Sequence, residues 1–181
     1  TVSNRLPFER AWGNTAKAGW LEGNVVVSPA GEMLNLLRLE SRESGTVAMV
    51  HVAADGKTVG FDPATDLRPM PGALHKFTIR YDADSKRYWS LVNKESNPRA
   101  LRNVLALISS PDLLDWRVES VLLMHPDRGN HAWQYLDWQI DGTDLIAASR
   151  TAWGNSHNFH DANYLTFHRV RDFRTDRRTV D

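Results

Sequence analysis

Three segments of the sequence share one pattern: a β-rich run, a tight turn, and a second β-rich run. The segments begin at Glu22, His75 and Gln134, at intervals of roughly 55 residues. Their turns, at 29–32, 82–86 and 141–142, are built from Pro, Gly, Asp and Ser. Strand-like runs around such residues are typical of β-hairpins. The pattern therefore predicts an all-β chain made of repeated antiparallel units.

A second hairpin follows the first in two of the three repeats. Its turns lie at 54–57 in the first repeat and at 110–115 in the second. The third repeat offers only a third strand, at 162–170. Four antiparallel strands per repeat are typical of one blade of a β-propeller. We therefore predict a β-propeller in which about three blades are visible, and a generic antiparallel sandwich is the alternative.

The repeats also predict how the chain is divided. Residues 1–19 form a leader that could supply an outer closing strand, and 175–181 form a C-terminal tail. The blades span about 20–72, 73–126 and 130–174. Three blades are too few to close a ring, because each blade packs both of its faces against neighbours. The chain is thus expected to be part of a five- or six-bladed ring, or to be completed by a second copy in a homodimer.

Composition excludes several classes of function. The 22 basic residues balance the 22 acidic ones, whereas nucleic-acid binders usually carry a basic excess. The absence of cysteine excludes disulfides and thiolate metal sites. No apolar run is long enough for a membrane helix. We expect no nucleic-acid or membrane partner and no cofactor, and a periplasmic or secreted location is favoured if a signal peptide was removed upstream.

The second hairpins resemble those of the sialidase-like (BNR, Asp-box) propellers of bacterial glycan-acting proteins. The Asp box reads roughly Ser-x-Asp-x-Gly-x-Thr-Trp; here Ser110, Asp112 and Trp116 keep part of it, as do Asp55 and Gly56 with a following Thr. The form around Asp112 also occurs in arabinanase-like five-bladed propellers. The stretch 160–169 is similar to these bacterial proteins too, and the resemblance covers about 20–174. It implies a glycan-binding propeller; Arg38, Arg80, Arg102 and Arg150 form no recognisable sialidase arginine motif.

Propeller geometry separates structural residues from candidate site residues. Asp-box turns lie on one face, so Asp55, Asp112 and Trp116 are expected to hold turns. The inner strands begin on the other face, where the loops after each second strand also open. The expected substrate-binding residues there are Trp20, His75, Lys76, Gln134, Tyr135, Arg150, His157 and His160. Further candidates in these loops are Lys94, Glu95, Arg99, Arg102 and Asn158.

Hydrolysis of a glycosidic bond needs two carboxyl groups flanking that bond. Glu22 and Asp161 are the favoured catalytic pair, and Asp137 is the third candidate. Each could instead be a hydrogen-bonded residue at a strand end. His157, His160 and Asp161 could also bind a metal, but the predicted site contains none because no further ligand is spaced to join them.

Two main functions remain open from the sequence. A glycoside hydrolase with its site on the propeller axis is favoured. A non-catalytic propeller that binds a carbohydrate or a protein is the alternative, and an inactive fragment is the third possibility.

Overall fold

The computed structural model describes residues 7–9, 19–40, 45–94 and 101–175. They form three antiparallel sheets, one for each repeat. Sheet A contains β1 (Trp20–Val27), β2 (Met33–Leu39), β3 (Thr46–Val52) and β4 (Val59–Gly60). A short helix, α1 (Pro63–Asp66), leads to β5 (Leu67–Pro69), which pairs with β3.

Sheets B and C follow the same up-and-down order. Sheet B contains β6 (Thr78–Asp82), β7 (Arg87–Asn93), β8 (Val104–Ser110) and β9 (Arg117–Met124). Sheet C contains β10 (Ala132–Asp141), β11 (Asp144–Ala152) and β12 (Tyr164–Val170). Within the described ranges, sheet C therefore has three strands where sheet B has four.

Turn residues explain where the first hairpins reverse. Gly31 (φ 85°) and Gly142 (φ 64°) occupy the left-handed region, which glycine enters without steric cost. In sheet B the same hairpin is closed by the Asp82 carboxylate, which accepts a hydrogen bond from the Ser85 N–H at 3.0 Å. The turn residues therefore fix the register of each hairpin, and this register decides which face of the sheet each following side chain occupies.

The two cores lie between neighbouring sheets. Leu36 and Met49 of sheet A meet Tyr88 and Ile108 of sheet B in one core. The other face of sheet B, with Trp89 and Leu107, packs against sheet C in the second core, whose members also include Trp138, Leu145 and Phe173. Sheet B is buried on both faces, so all seven residues of β8 are buried. This stacking of sheets face to face is that of propeller blades.

Polar side chains join the inner strands of adjacent sheets. The Asn24 side-chain oxygen of β1 accepts a hydrogen bond from the Ile79 N–H of β6. The Thr78 hydroxyl of β6 donates to the Leu136 carbonyl of β10 at 3.2 Å, and the Trp138 indole N–H donates to the Thr78 carbonyl at 2.8 Å. Backbone groups left free at these inner edges are therefore satisfied by the neighbouring blade.

The predicted fold class is confirmed: the chain is a partial β-propeller of antiparallel sheets. Two details differ from the sequence expectation. The inner strand of sheet B starts at Thr78 rather than His75, and α1 with β5 fills the connection after β4. Most of the proposed leader, and all of the tail except Thr175, lie outside the described residues. No helix among the described residues is long and apolar enough to cross a membrane.

Candidate functional site

One face of the propeller collects the starts of β1, β6 and β10 and the ends of β2, β7 and β11. This is the mouth face, and it follows from the strand directions alone. The opposite face carries the hairpin turns. Residues of all three sheets meet on the mouth face near the inner strands; this group, called the mouth, comprises Glu22, Arg38, His75, Lys76, Arg102, Gln134, Tyr135 and Arg150.

Arg102 is the centre of the mouth and is 7% exposed. Its Nε donates to the His75 Nδ1 at 3.3 Å, and its Nη1 donates to the Gln134 side-chain oxygen. Burial lowers the pKa of Arg102, and the charges of Arg38 and Arg150 lower it further, whereas Tyr135 opposes the shift. Arg102 thus brings the loop after β7 into contact with the inner strand of sheet C.

His75 is held as a neutral imidazole. Burial lowers its pKa to about 3, and the positive charges of Arg102 and Arg38 act in the same direction. Because Nδ1 accepts the Arg102 hydrogen bond, the proton of the neutral ring resides on Nε2. His75 therefore adds no charge to the mouth near neutral pH.

Gln134 fixes the position of a neighbouring loop. It is fully buried, and its side-chain nitrogen donates to the carbonyls of Phe159 and His160, both at 2.9 Å. Its side-chain oxygen accepts from Arg102. The amide therefore couples the loop after β11 to the mouth.

Tyr135 owes its orientation to a β-bulge. The register of β10 against β11 shifts between Gln134 and Asp137, and Tyr135 has φ 53°, in the left-handed region that non-glycine residues rarely adopt. The guanidinium carbons of Arg102 and Arg150 each lie 5.2 Å from the centre of its ring. Strain of this kind concentrates at functional sites, and here it presents an aromatic ring between two cations.

Two carboxylates, Glu22 of the mouth and Asp137 next to it on β10, each form an ion pair. Glu22 contacts Arg38 at 3.0 Å, and Asp137 contacts Arg80 at 3.0 Å. Burial lowers the pKa of Lys76, and the charges of Asp137 and Glu22 raise it. The Lys76 ammonium thus lies within electrostatic reach of both acids, and it donates to the Thr78 hydroxyl at 2.8 Å.

Asp161 belongs to a separate, exposed cluster. Its carboxylate contacts the His157 Nδ1 at 2.8 Å and accepts from the Asn158 amide at 2.8 Å. His160 lies 3.6 Å from the other carboxylate oxygen. The hydrogen bond from His157 lowers the pKa of Asp161. No described contact joins this cluster to Glu22. Asp137 and Glu22, in contrast, both raise the pKa of Lys76 through their charges.

The remaining candidates fall in different places. The Trp20 ring packs edge-on against Phe8 and Phe61, with centroids 5.1 and 5.3 Å away. Lys94 is exposed at the end of β7. Glu95 and Arg99 lie outside the described residues.

The mouth carries an excess of positive charge. Arg38 is paired with Glu22, but Arg102, Arg150 and Lys76 make no ion pair with a carboxylate in the described part of the chain. Arg150 is also exposed. Unpaired guanidinium groups that converge from different elements are suited to a planar anion such as a carboxylate.

Asp112 and Trp116 lie on the opposite face, in the turn between β8 and β9. The Asp112 carboxylate accepts from the N–H groups of Leu114 and Asp115, both at 2.9 Å. The Trp116 indole N–H donates to the Leu113 carbonyl at 3.0 Å. In the turn before β4, Asp55 accepts from the Lys57 N–H at 2.8 Å. Each of these side chains therefore forms hydrogen bonds with backbone groups of its own turn.

Sequence reasoning gave Arg38 no role in the mouth and did not separate Arg102 from the other loop residues. A signal was present in the repeat, because Arg38 and Arg150 stand near the ends of equivalent strands, β2 and β11. The burial of Arg102 had no such signal. Among the described residues, no group of three or more His, Asp or Glu side chains is arranged to hold a metal ion.

The comparisons with known proteins show the fold. No family model matches the sequence, and no curated protein matches it. The chain is similar to an α-L-arabinanase of Penicillium chrysogenum solved with arabinobiose (TM-score 0.58, 13% identity, 90% of this chain and 48% of that one). It is also similar to an α-L-arabinofuranosidase of Fusarium graminearum solved with an iminosugar inhibitor (TM-score 0.59, 13% identity, 90% and 47%). The chain thus spans about half the length of these propellers.

Proposed function

We propose that this chain is part of a glycan-binding propeller whose mouth binds a sugar bearing a carboxylate. The observation that carries the proposal is the position of the Tyr135 ring, whose centre lies 5.2 Å from the guanidinium carbons of both Arg102 and Arg150. The charge of Arg38 also acts on Arg102, whose pKa it lowers. The solved propellers of similar fold are complexed with arabinobiose or an iminosugar, which supports a glycan as the ligand.

The charge balance favours an acidic over a neutral sugar. Arg102 is buried, and none of the carboxylates in 7–9, 19–40, 45–94 and 101–175 is its ion-pair partner; burial of an unpaired charge is costly. A ligand carboxylate would accept hydrogen bonds from Arg102 and Arg150 while the Tyr135 ring covers an apolar face of the sugar. Charge-assisted hydrogen bonds of this kind contribute roughly 1.5 to 3 kcal/mol each.

Titration calorimetry with galacturonic acid oligomers and arabinobiose tests this preference. We expect the acidic oligomers to bind more tightly, and Arg150→Ala to weaken their binding by about tenfold or more because a charge-assisted contact is lost. Lys57→Ala, which removes an exposed cation from the opposite face, is the matched control. Equal affinity for acidic and neutral sugars, or equal losses in both variants, would contradict the preference.

We further propose that the assembled site hydrolyses a glycosidic bond with Glu22 and Asp137 as its carboxyl pair. The negative charges of both carboxylates raise the pKa of the same Lys76 ammonium. Asp161, in contrast, belongs to the exposed cluster with His157 and His160. In Glu22→Gln and Asp137→Asn we expect hydrolysis to fall by at least a hundredfold while glycan binding persists. Glu32→Gln, which changes an exposed carboxylate in the turn between β1 and β2 on the opposite face, is the control, and its activity is expected to stay near that of the unchanged chain.

Binding without catalysis is the second candidate, and one observation favours it. Both carboxylates are already ion-paired, with Arg38 and Arg80 respectively, so a substrate would have to compete with these arginines for them. A glycan panel that yields tight binding and no cleavage would decide for this alternative.

Membership of the sialidase-like Asp-box group and completion of the ring are also proposals. The turn contacts of Asp112 and Trp116 support the first. The second rests on the incomplete arc: the ring would be closed by further blades or by a second copy of the chain, and the mouth would gain residues from them.

A further inference from the structure

Trp153 is an exposed indole on the mouth face. It follows β11 directly, and 44% of its surface is accessible. The other tryptophans in the described ranges are buried or half-buried. An exposed tryptophan therefore stands out against the way this chain otherwise uses that residue.

The backbone of Trp153 is nevertheless held in place. Its backbone N–H donates to the Asn163 side-chain oxygen at 3.0 Å, and the Asn163 amide donates to its backbone carbonyl at 2.9 Å. The next N–H, of Gly154, donates to the His131 Nε2 at 3.1 Å. Both ends of the loop 153–163 are thus pinned to each other and to the connection before β10.

Two stacked histidine rings also fix the indole. The rings of His125 and His131 lie 3.7 Å apart and nearly parallel, and Trp153 stands edge-on to them, 5.0 and 4.7 Å away. Asp127 orients His131 through a 2.8 Å contact to its Nδ1. A rigid aromatic surface loses little conformational entropy when a ligand stacks on it.

Exposed polar groups accompany Trp153 in the same loop. His157 is mostly exposed, as its side chain is 84% accessible, and Asp161 is about half exposed. Asn158 orders the backbone by accepting from the N–H groups of His160 and Asp161, at 2.8 and 3.1 Å. Carboxylate, amide and imidazole groups are the partners that sugar hydroxyls require, and an indole suits the apolar face of a sugar.

Hydrogen bonds also connect the loop 153–163 to the mouth. Gln134, which accepts from Arg102, donates to two carbonyls of this loop. Along β11, Trp153 comes three residues after Arg150, a distance of about 10 Å in an extended chain. A chain of sugars that occupies the mouth could therefore continue onto Trp153.

We propose that Trp153 and the loop 153–163 form a second glycan subsite, in which the indole stacks on a sugar ring and His157, Asn158 and Asp161 bond its hydroxyls. This subsite rests on the proposed function of the mouth. It makes the ligand an oligosaccharide that runs from the mouth towards the rim of sheet C, rather than a single sugar.

The test compares Trp153→Ala with Tyr81→Ala, which removes an exposed aromatic ring at the far end of β6. Calorimetry uses galacturonic acid against its trimer, and arabinose against linear arabinohexaose. We expect Trp153→Ala to weaken binding of the oligosaccharides about tenfold and to leave monosaccharide binding unchanged, because only the longer ligands reach the indole. Tyr81→Ala is expected to change neither, and Trp153→Phe to retain part of the affinity.

Thermal unfolding of each variant checks that the loop change leaves the fold intact. Unchanged oligosaccharide affinity in folded Trp153→Ala would overturn the subsite and leave the function of the mouth standing. Equal losses of affinity for mono- and oligosaccharides would also overturn the subsite, since Trp153 would then affect binding in the mouth itself. Absence of any glycan binding by the unchanged chain would overturn the proposed function and the subsite together.

Discussion

At the scale of single residues, burial decides the chemistry of the mouth. His75 and Arg102 share one hydrogen bond, yet both have a lowered pKa because both are removed from water. The result is a neutral imidazole beside a cation that has no acidic partner within the described part of the chain. A charged His75 would repel Arg102, so the two residues can coexist only while His75 is unprotonated.

His75 therefore predicts a loss of stability in acid. Its folded pKa, about 3, lies below the ordinary value of 6.5, so the unfolded chain binds the proton more tightly and stability falls as the pH drops below 6.5 towards 3. Between pH 7 and pH 4 this amounts to about 3 kcal/mol. In His75→Asn we expect urea unfolding to show a smaller loss over that range. An identical pH dependence in both proteins would contradict a buried neutral His75.

Residue types predicted the candidates but not their grouping. The positions of His75, Gln134 and Arg150 at strand ends followed from the repeat, whereas the burial of Arg102 depends on how the loop after β7 packs. Glu22 and Asp161 were paired because both belong to the mouth face. Their contacts differ because Asp161 is held by His157 and Asn158 in its own loop, a local arrangement that strand register cannot reveal.

At the scale of elements, the segment after β12 fastens two sheets together. Phe173 is fully buried against Trp89 of sheet B, with ring centroids 5.1 Å apart. Arg174 donates to both oxygens of Asp82 at 2.8 and 2.6 Å, and to the Gly142 carbonyl of sheet C at 3.2 Å. These contacts clamp the first hairpin of sheet B to that of sheet C on the face opposite the mouth.

Arg174→Ala is expected to lower the free energy of unfolding by about 3 kcal/mol, because it leaves the buried Asp82 carboxylate without its partner. Arg174 lowers the pKa of Asp82 to about 2, from 3.8, so its contribution is present above pH 3.8 and is lost as the pH falls towards 2. Arg128→Ala, at an exposed position, is the control. Chemical unfolding at pH 7 and pH 3 measures both effects; equal stability of the two variants would contradict the clamp.

The hairpins were predictable because turn residues and the alternation of apolar and polar residues along a strand are features of short stretches of sequence. The strands β2 and β7 and the turns between the first two strands of each sheet lie where the sequence placed them. The bulge at Tyr135 was not predictable, since its neighbours read as an ordinary strand and the shift of register is imposed by packing on β11. The element most important for the mouth was therefore the least visible in the sequence.

At the scale of the whole molecule, the arc ends in a face of sheet C that no other described sheet covers. On sheet C, Ala148 of β11 and Phe167 of β12 are directly opposite one another, and both are exposed. Phe167 and Leu165 are 64% and 78% accessible. The other face of the same sheet is buried on sheet B, so the exposed face has the position at which the next blade of a ring would pack.

This face predicts that the isolated chain associates. Light scattering coupled to size exclusion should show species larger than 20.5 kDa that dissociate on dilution, because exposed apolar sheet faces and unpaired strand edges associate with other copies. Phe167→Lys and Leu165→Glu should shift the protein towards monomer. Lys57→Glu serves as a control of charge change elsewhere. A monomer at all concentrations would contradict association through sheet C.

Hydrogen–deuterium exchange with and without a galacturonic acid trimer measures whether the mouth binds a glycan. Binding there should slow exchange at 75–76, 101–104, 134–136 and 150–163 in the presence of the trimer and leave exchange at the turn 110–116, on the opposite face, unchanged. Protection confined to that opposite face, or no protection at saturating trimer, would contradict binding at the mouth.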